Sequence, residues 1–280
     1  MSTSPNHRES LGTETIRENS DGLNLSKTQT GAMTISPELF EKLFLSPKTP
    51  HAGDNIKRFA NPTAMGFVGF VISVFTLGIV LMGWGGANGL SGVAGIFFFT
   101  GPVLLVLGTI FEYILGNFFA MMIQSLFSVF WLSFGLLQLP TLNLAGAYSP
   151  TGNMEEGLAS KEYNAAVGLY LIVWGFAFFT YFIFTLKTNC VLAAIFVLTA
   201  TGSWVLAGAY FRLGNGDHAF AQTLQMTSGA ILFVVAALGW YMTFVIMATE
   251  MRLPVNLPVG DLTHFWPSTD APLSDVEKQA

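Results

Sequence analysis

Charged side chains are scarce in this chain of 280 residues, where Asp, Glu, Lys and Arg together make up 10%. A soluble domain carries roughly 25% of these residues, so an ordinary water-facing globule is excluded. Hydrophobic residues make up 52% of the chain, which also excludes a disordered protein of low hydrophobicity and high charge. The formal net charge of −5 argues against the basic face that nucleic acid requires, and we expect no nucleic-acid partner.

Residues that bind metals or perform catalysis are also few. The single cysteine, Cys190, excludes a disulfide framework and a cysteine-based zinc site. No metalloprotease, serine-hydrolase or phosphate-loop motif is present. The four histidines, which we place in tails or loops, are His7, His51, His218 and His264. We therefore expect no enzyme activity, no metal site, no haem and no other cofactor.

Long stretches without charge dominate the rest of the chain, at 64–111, 113–154, 163–186, 188–211 and 219–249. A membrane-spanning helix needs about 20 apolar residues, and the first stretch is long enough for two, with a Gly-rich turn at 83–89 between them. The pattern lacks the short alternating segments of a transmembrane β-barrel. It predicts an all-α polytopic membrane protein with six transmembrane helices, at 64–83, 93–113, 117–139, 165–186, 190–211 and 227–249.

Four regions follow from this pattern. We expect a disordered cytosolic tail at 1–35, a pre-membrane segment with a short amphipathic helix at 36–60, the six-helix domain at 61–250 and an irregular cytosolic tail at 251–280. Six spans put both termini on one side of the membrane, and the excess of Lys and Arg at span ends on that side favours the cytoplasm. The expected location is the plasma membrane, with an internal membrane such as the endoplasmic reticulum or vacuole as the alternative.

Polar residues mark two ends of the predicted spans. Asn61 and Pro62 precede the first span, where they either form a plain helix cap or present exposed amides at the entrance of a path for an anion. Glu112 ends the second span, shortly before Asn117. A carboxyl group at this depth is either a proton or substrate contact, an orienting group at a pore mouth, a hydrated charge, or a group that holds the turn between the second and third spans.

Two helix faces inside the spans combine polar and aromatic side chains at spacings of three and four residues. Such faces either line a narrow path or provide packing and hydrogen bonds between helices. They consist of Gln124, Phe127, Ser128 and Trp131 in the third span, and of Thr199 and Ser203 in the fifth.

The segment 61–70, Asn-Pro-Thr-Ala-Met-Gly-Phe-Val-Gly-Phe, resembles the signature of the acetate uptake transporter family. Ala64 stands where that signature has its second proline. Further similar segments follow in order along about 36–262. They are 36–47, similar to fungal members, then 107–119 with its Glu-Tyr and Gly-Asn, 130–133 with Phe-Trp-Leu, 185–187 and 257–260.

The resemblance implies a six-helix subunit of a cyclic homo-hexamer in the lipid bilayer, with one path per subunit for acetate or a related short monocarboxylate, commonly with a proton. It also implies a constriction at Phe70, Phe127 and Thr199, with Leu198 beside the last position. Phe127 replaces the family's Tyr and Thr199 its Leu, so the hydroxyl groups at the constriction differ. Alternatives are ammonium export, a receptor-like or accessory protein without transport, and a fungal transporter that serves secondary metabolism.

Overall fold

The computed structural model of this chain describes residues 59–255 and 257–266. Within these ranges the chain is helical, apart from connecting segments and one isolated antiparallel bridge between Asn189 and Asp261. The predicted tail at 1–35, the predicted amphipathic helix and the residues after 266 lie outside the described residues.

Six helices in the described part of the chain are long and apolar enough to cross a membrane. A π-helix at Ile96–Thr100 runs directly into the second of them, so that this span covers Ile96–Leu115. The number and length of the helices confirm the prediction of a multi-pass integral membrane protein. The helices are α1 Thr63–Leu81, α2 Gly101–Leu115, α3 Phe118–Leu137, the short α4 Met154–Ala159, α5 Lys161–Thr185, α6 Cys190–Gly214 and α7 His218–Glu250.

The last span differs from its predicted bounds. It begins at His218 rather than at 227, which also moves His218 from a loop to the first residue of a helix. The carboxylate of Asp217 accepts a hydrogen bond from the Phe220 amide and caps the helix there. Thr223 donates its hydroxyl to the Ala219 carbonyl, so its polar side chain is accommodated within the helix.

The six spans pack as a ring of neighbours, in the order α3, α2, α1, α7, α6 and α5. Between α3 and α5 the contact is made by large side chains. Phe130 packs edge-on against Trp174 with 5.2 Å between ring centroids, and Ser133 Oγ lies 2.7 Å from Tyr170 Oη. Because large side chains rather than closely packed backbones bridge α3 and α5, space remains between these two helices.

Two connections hold the ends of spans. The Gly-rich segment after α1 forms a turn with a 3-10 helix at Trp84–Gly86, as its composition predicts. The C-terminal segment 257–266 is irregular but held against the connection between α5 and α6. There the Cys190 amide donates to the Gly260 carbonyl at 2.7 Å, and Trp266 Nε1 donates to the Leu186 carbonyl at 2.8 Å.

Candidate functional site

Two small cavities lie between the spans, and Phe70 of α1 and Phe127 of α3 form part of the wall of both. We term them the near cavity, toward the start of α1, and the far cavity. The centre of a water-sized sphere can occupy about 20 Å³ of the near cavity and about 30 Å³ of the far cavity. Each therefore has room for one or two water molecules. The near cavity is also lined by Gly66, Ile123, Gln124, Leu192 and Phe196, and the far cavity by Val74, Trp131, Leu171, Thr199, Ser203 and Leu206.

Aromatic rings separate the two cavities. The centroids of Phe70 and Phe127 are 4.5 Å apart, and Phe127 also contacts Phe178 at 5.3 Å and Phe196 at 5.6 Å. Phe70 is 4% exposed and Phe127 is 3% exposed. Neither ring carries a polar group, so the boundary between the cavities is an apolar barrier. A solute can pass this barrier only if the rings move aside.

The fifth span contributes two residues with hydroxyl groups to the wall of the far cavity. Thr199 lies in its wall and donates its hydroxyl to the Ile195 carbonyl at 2.7 Å, and Ser203 donates to the Leu171 carbonyl at 2.8 Å. Each hydroxyl oxygen keeps lone pairs that can accept a further hydrogen bond. Leu198 is only partly buried and packs against the hydrophobic core, so Thr199 is the residue of this pair that faces the far cavity.

The polar face predicted on α3 extends along both cavities. Gln124 lines the near cavity, Trp131 lines the far cavity and Phe127 lies between them. Ser128 is 3% exposed and is not among the described residues that line either cavity. No charged side chain lines either cavity in the described part of the chain.

Glu112 lies in a buried cluster of polar side chains close to the near cavity. It is 0% exposed, so the interpretation of a hydrated charge is wrong. Its Oε1 accepts from Thr63 Oγ1 at 2.5 Å and from Gln124 Nε2 at 3.3 Å, and its Oε2 accepts from Asn117 Nδ2 at 2.7 Å. Gly116 ends α2 in the left-handed conformation and turns the chain back into α3, which brings Asn117 and Gln124 to the carboxyl group.

Two glycines make room for this cluster. A Cβ atom at Gly66 or at Gly108 would collide with the side-chain amide of Gln124. Gln124 therefore lies between α1 and α2, and its amide joins the near cavity to Glu112. Sequence reasoning missed Thr63 and the spatial role of both glycines, because each of these contacts joins helices that are distant along the chain.

The start of α1 differs slightly from the predicted cap. Pro62, not Asn61, is the N-cap residue, because its carbonyl already accepts hydrogen bonds from the Met65 and Gly66 amides. Asn61 instead accepts from the Thr63 amide at 3.0 Å through Oδ1 and donates to Glu250 Oε1 at 2.9 Å through Nδ2. The Thr63 amide is thus already used and does not face an incoming anion.

These features define a polytopic membrane protein with two small, mainly apolar cavities between its helices. The chain belongs to the GPR1/FUN34/yaaH family, whose model matches residues 45–264. This match confirms the family resemblance inferred from the segment at 61–70.

Named relatives cover most of the chain. Protein alcS of Aspergillus fumigatus is 38% identical, over 84% of this chain and 87% of its own length. Acetate transporter protein patA of Penicillium expansum is 28% identical, over 84% of this chain and 94% of its own length. Ammonia transport outward protein 2 of Saccharomyces cerevisiae is 28% identical, over 75% of this chain and 71% of its own length.

The fold also has a counterpart of known structure. The bacterial acetate channel SatP superimposes with a TM-score of 0.56 and 22% sequence identity, over 72% of this chain and 99% of that chain. At this identity the likeness concerns the fold, and it agrees with the six-helix arrangement described above.

Proposed function

We propose that this protein transports acetate or a related short monocarboxylate across a membrane, along a path through the near and far cavities. The observation that carries the proposal is the pair of cavities that share the rings of Phe70 and Phe127 in their walls. The names of the patA relatives and of the SatP channel support acetate as the substrate. The proposed role is transport rather than catalysis.

The chemistry of the walls favours passage of the undissociated acid, or of the anion together with a proton. Removing an ionised carboxylate from water costs several kcal/mol even after the protein relaxes, unless a partner compensates. Neither cavity has a Lys or Arg in its wall within the described residues. A neutral carboxylic acid avoids this cost, and its O–H group can donate to the oxygen of Thr199 or Ser203.

The remaining site residues have supporting roles in this proposal. Asn61 and Pro62 lie at the entrance on the near side, where the carboxylate of Glu250 already occupies the Asn61 amide. Glu112 and Asn117 orient Gln124 in the wall of the near cavity, since hydrogen bonds connect Glu112 to both. Ser128 and Trp131 complete the buried face of α3.

Uptake of labelled acetate into proteoliposomes tests the proposal. Undissociated acid also crosses bare lipid, so protein-free liposomes of the same composition provide the background. We expect uptake above this background that increases as the external pH is lowered, because the neutral fraction of the acid increases. Equal uptake with and without protein at every pH would contradict acetate transport.

Substrate selection should depend on the aromatic boundary. Phe127→Tyr restores the hydroxyl that the family carries at this position, and we expect a changed preference across a panel of short monocarboxylates. Phe70→Ala should widen the boundary and extend the accepted range toward longer acids. If neither variant changes the rate or the range, the boundary does not lie on the path.

Ammonium export is the second candidate, because one relative is named an ammonia transport outward protein. The absence of acidic side chains from both cavity walls in the described residues argues against passage of a cation. Proteoliposomes loaded with ammonium distinguish the candidates, since an acetate transporter should release it no faster than protein-free liposomes. A receptor-like or accessory protein is a further alternative, and deletion of residues 1–33 distinguishes it from a transporter. A transporter should keep its flux after this deletion, whereas a receptor-like protein should lose its cellular phenotype.

Assembly and location complete the proposal. We expect a cyclic homo-hexamer in the plasma membrane, with a path in each subunit, in service of a fungal biosynthetic pathway or of general acetate uptake. Exposed apolar side chains on α2, among them Val103, Ile110 and Phe111, are compatible with contacts to lipid or to a second subunit. Native mass spectrometry of the purified protein measures the number of subunits directly.

A further inference from the structure

Two buried polar atoms, one of them on a residue that lines the far cavity, have no hydrogen-bond partner among residues 59–255 and 257–266. They are Nε1 of Trp131 on α3 and Oγ of Ser73 on α1. Trp131 is 1% exposed and Ser73 is 0% exposed. Most buried side-chain polar atoms have a partner, so two such atoms at one place call for a ligand or an ordered water.

The Ser73 hydroxyl group differs in its hydrogen bonding from three other buried hydroxyl groups in the bundle. Thr199, Ser203 and Ser228 each donate to a backbone carbonyl at 2.7 to 2.8 Å. On the same helix as Ser73, Thr76 donates to the Ile72 carbonyl at 2.8 Å. Ser73 makes no such bond within the described residues, and its hydroxyl group is therefore still able to donate.

Gly101 places the two atoms near each other. A Cβ atom at this position would lie 2.6 Å from Ser73 Oγ and 3.1 Å from Trp131 Cδ1, which is bonded to Nε1. Gly101 is also the junction between the π-helix and α2, and π-helical turns frequently occur at functional sites. Phe97 of the π-helix stacks on Trp131 with 5.7 Å between centroids and holds the indole in place.

We infer that Ser73 and Trp131 bind the carboxyl group of the transported acid at the edge of the far cavity, an inference that rests on the proposed function. The indole N–H donates to the carbonyl oxygen. The Ser73 hydroxyl bonds the second oxygen, as a donor or as an acceptor of the acid's own O–H. Two neutral groups without a cation suit an undissociated carboxylic acid, whose alkyl part lies against apolar residues such as Val74 and Leu206.

This pair offers hydrogen-bonding groups that the aromatic boundary lacks. Phe127 carries no hydroxyl, so a solute that passes it makes no polar contact with that ring. Trp131 is four residues further along α3 and lies on the same buried face. The polar contact with the acid therefore lies beyond the aromatic boundary rather than within it. In this inference, Ser73 is a residue that determines the affinity for the transported acid.

Ser73→Ala tests the inference, because it removes one hydroxyl oxygen and little else. We expect the KM for acetate uptake in proteoliposomes to rise about tenfold, which corresponds to the loss of roughly one hydrogen bond. Acetate should also raise the melting temperature of the detergent-solubilised wild type more than that of the variant at the same concentration. Thr76→Val is the matched control on the same helix and should leave both values unchanged.

Trp131→Phe is the second variant, since it keeps an aromatic ring against Phe97 but removes the indole N–H. We expect a similar rise in KM and a similar loss of stabilisation by acetate. Wild-type KM and wild-type stabilisation in Ser73→Ala would overturn the inference, whatever the effect of Trp131→Phe, and would assign the pair to an ordered water. Absence of acetate uptake and of stabilisation in the wild type would instead overturn the proposed function.

Discussion

Replacement of Gly108 by Ala tests the packing of the buried cluster around Glu112. In a helix interior this change ordinarily stabilises a protein by about 1 kcal/mol. Here the new methyl group would collide with the Gln124 amide. Overpacking of this kind costs about 1–3 kcal/mol, and displacing Gln124 also breaks its bond to Glu112, at a cost of about 1.5–3 kcal/mol. The sign of the effect should therefore reverse, with a net loss of about 1.5–5 kcal/mol.

The assay is the melting temperature of the purified protein in detergent, where a loss of this size lowers the midpoint by about 3–20 °C. Gly208→Ala is the matched control, because a Cβ atom there lies 3.5 Å from Leu224 Cδ1, an ordinary van der Waals distance. Gly208→Ala should not lower the melting temperature. In a Gln124→Ala background the collision is absent, and Gly108→Ala should no longer destabilise. An equal loss in both backgrounds would refute the reasoning.

Two further predictions concern the carboxyl groups. Glu112→Leu leaves three donors without an acceptor, two of them buried, and should cost about 3 kcal/mol or more, whereas Glu112→Gln keeps one acceptor and should cost less. Equal melting temperatures of the two variants would contradict the hydrogen-bond network. Hydrogen bonds from Ser149 and Thr151 hold the pKa of the exposed Glu156 carboxyl below its ordinary value. The stabilisation that they give the loop is present at neutral pH and is lost as the pH falls through that lowered pKa. Ser149→Ala should raise the pKa in a carbon-13 NMR titration, and an unchanged pKa would show that the hydroxyl does not act on Glu156.

The architecture could be predicted from the sequence because the bilayer imposes a simple rule. Stretches without charge had to be helices of membrane length, and their number and approximate bounds agree with the structure. The start of the last span could not be placed, because the capping by Asp217 is a local hydrogen bond that a search for apolar stretches does not detect.

From residue spacing alone, the candidate site could be predicted only where its residues share one helix; the grouping of Phe70, Phe127 and Thr199 from three spans came from the family resemblance. The spacing of Gln124, Phe127 and Trp131 was sufficient to place them on one buried face. The burial of Glu112 was not predictable in the same way, because its donor Thr63 comes from another span and is 49 residues away along the chain. Ser73 gave no signal in the sequence, since its importance depends on its position next to Gly101.

The central claim is that solute crosses the bundle between Phe70 and Phe127, and a pair of matched substitutions on α1 tests it most directly. Phe70→Trp enlarges a ring at the boundary, whereas Phe75→Trp enlarges a ring that packs on Phe233 with 4.9 Å between centroids. Phe75 is not among the described residues that line either cavity. Acetate flux into proteoliposomes should fall to the protein-free background in Phe70→Trp and persist in Phe75→Trp. Equal flux in the two variants would contradict a path between these rings.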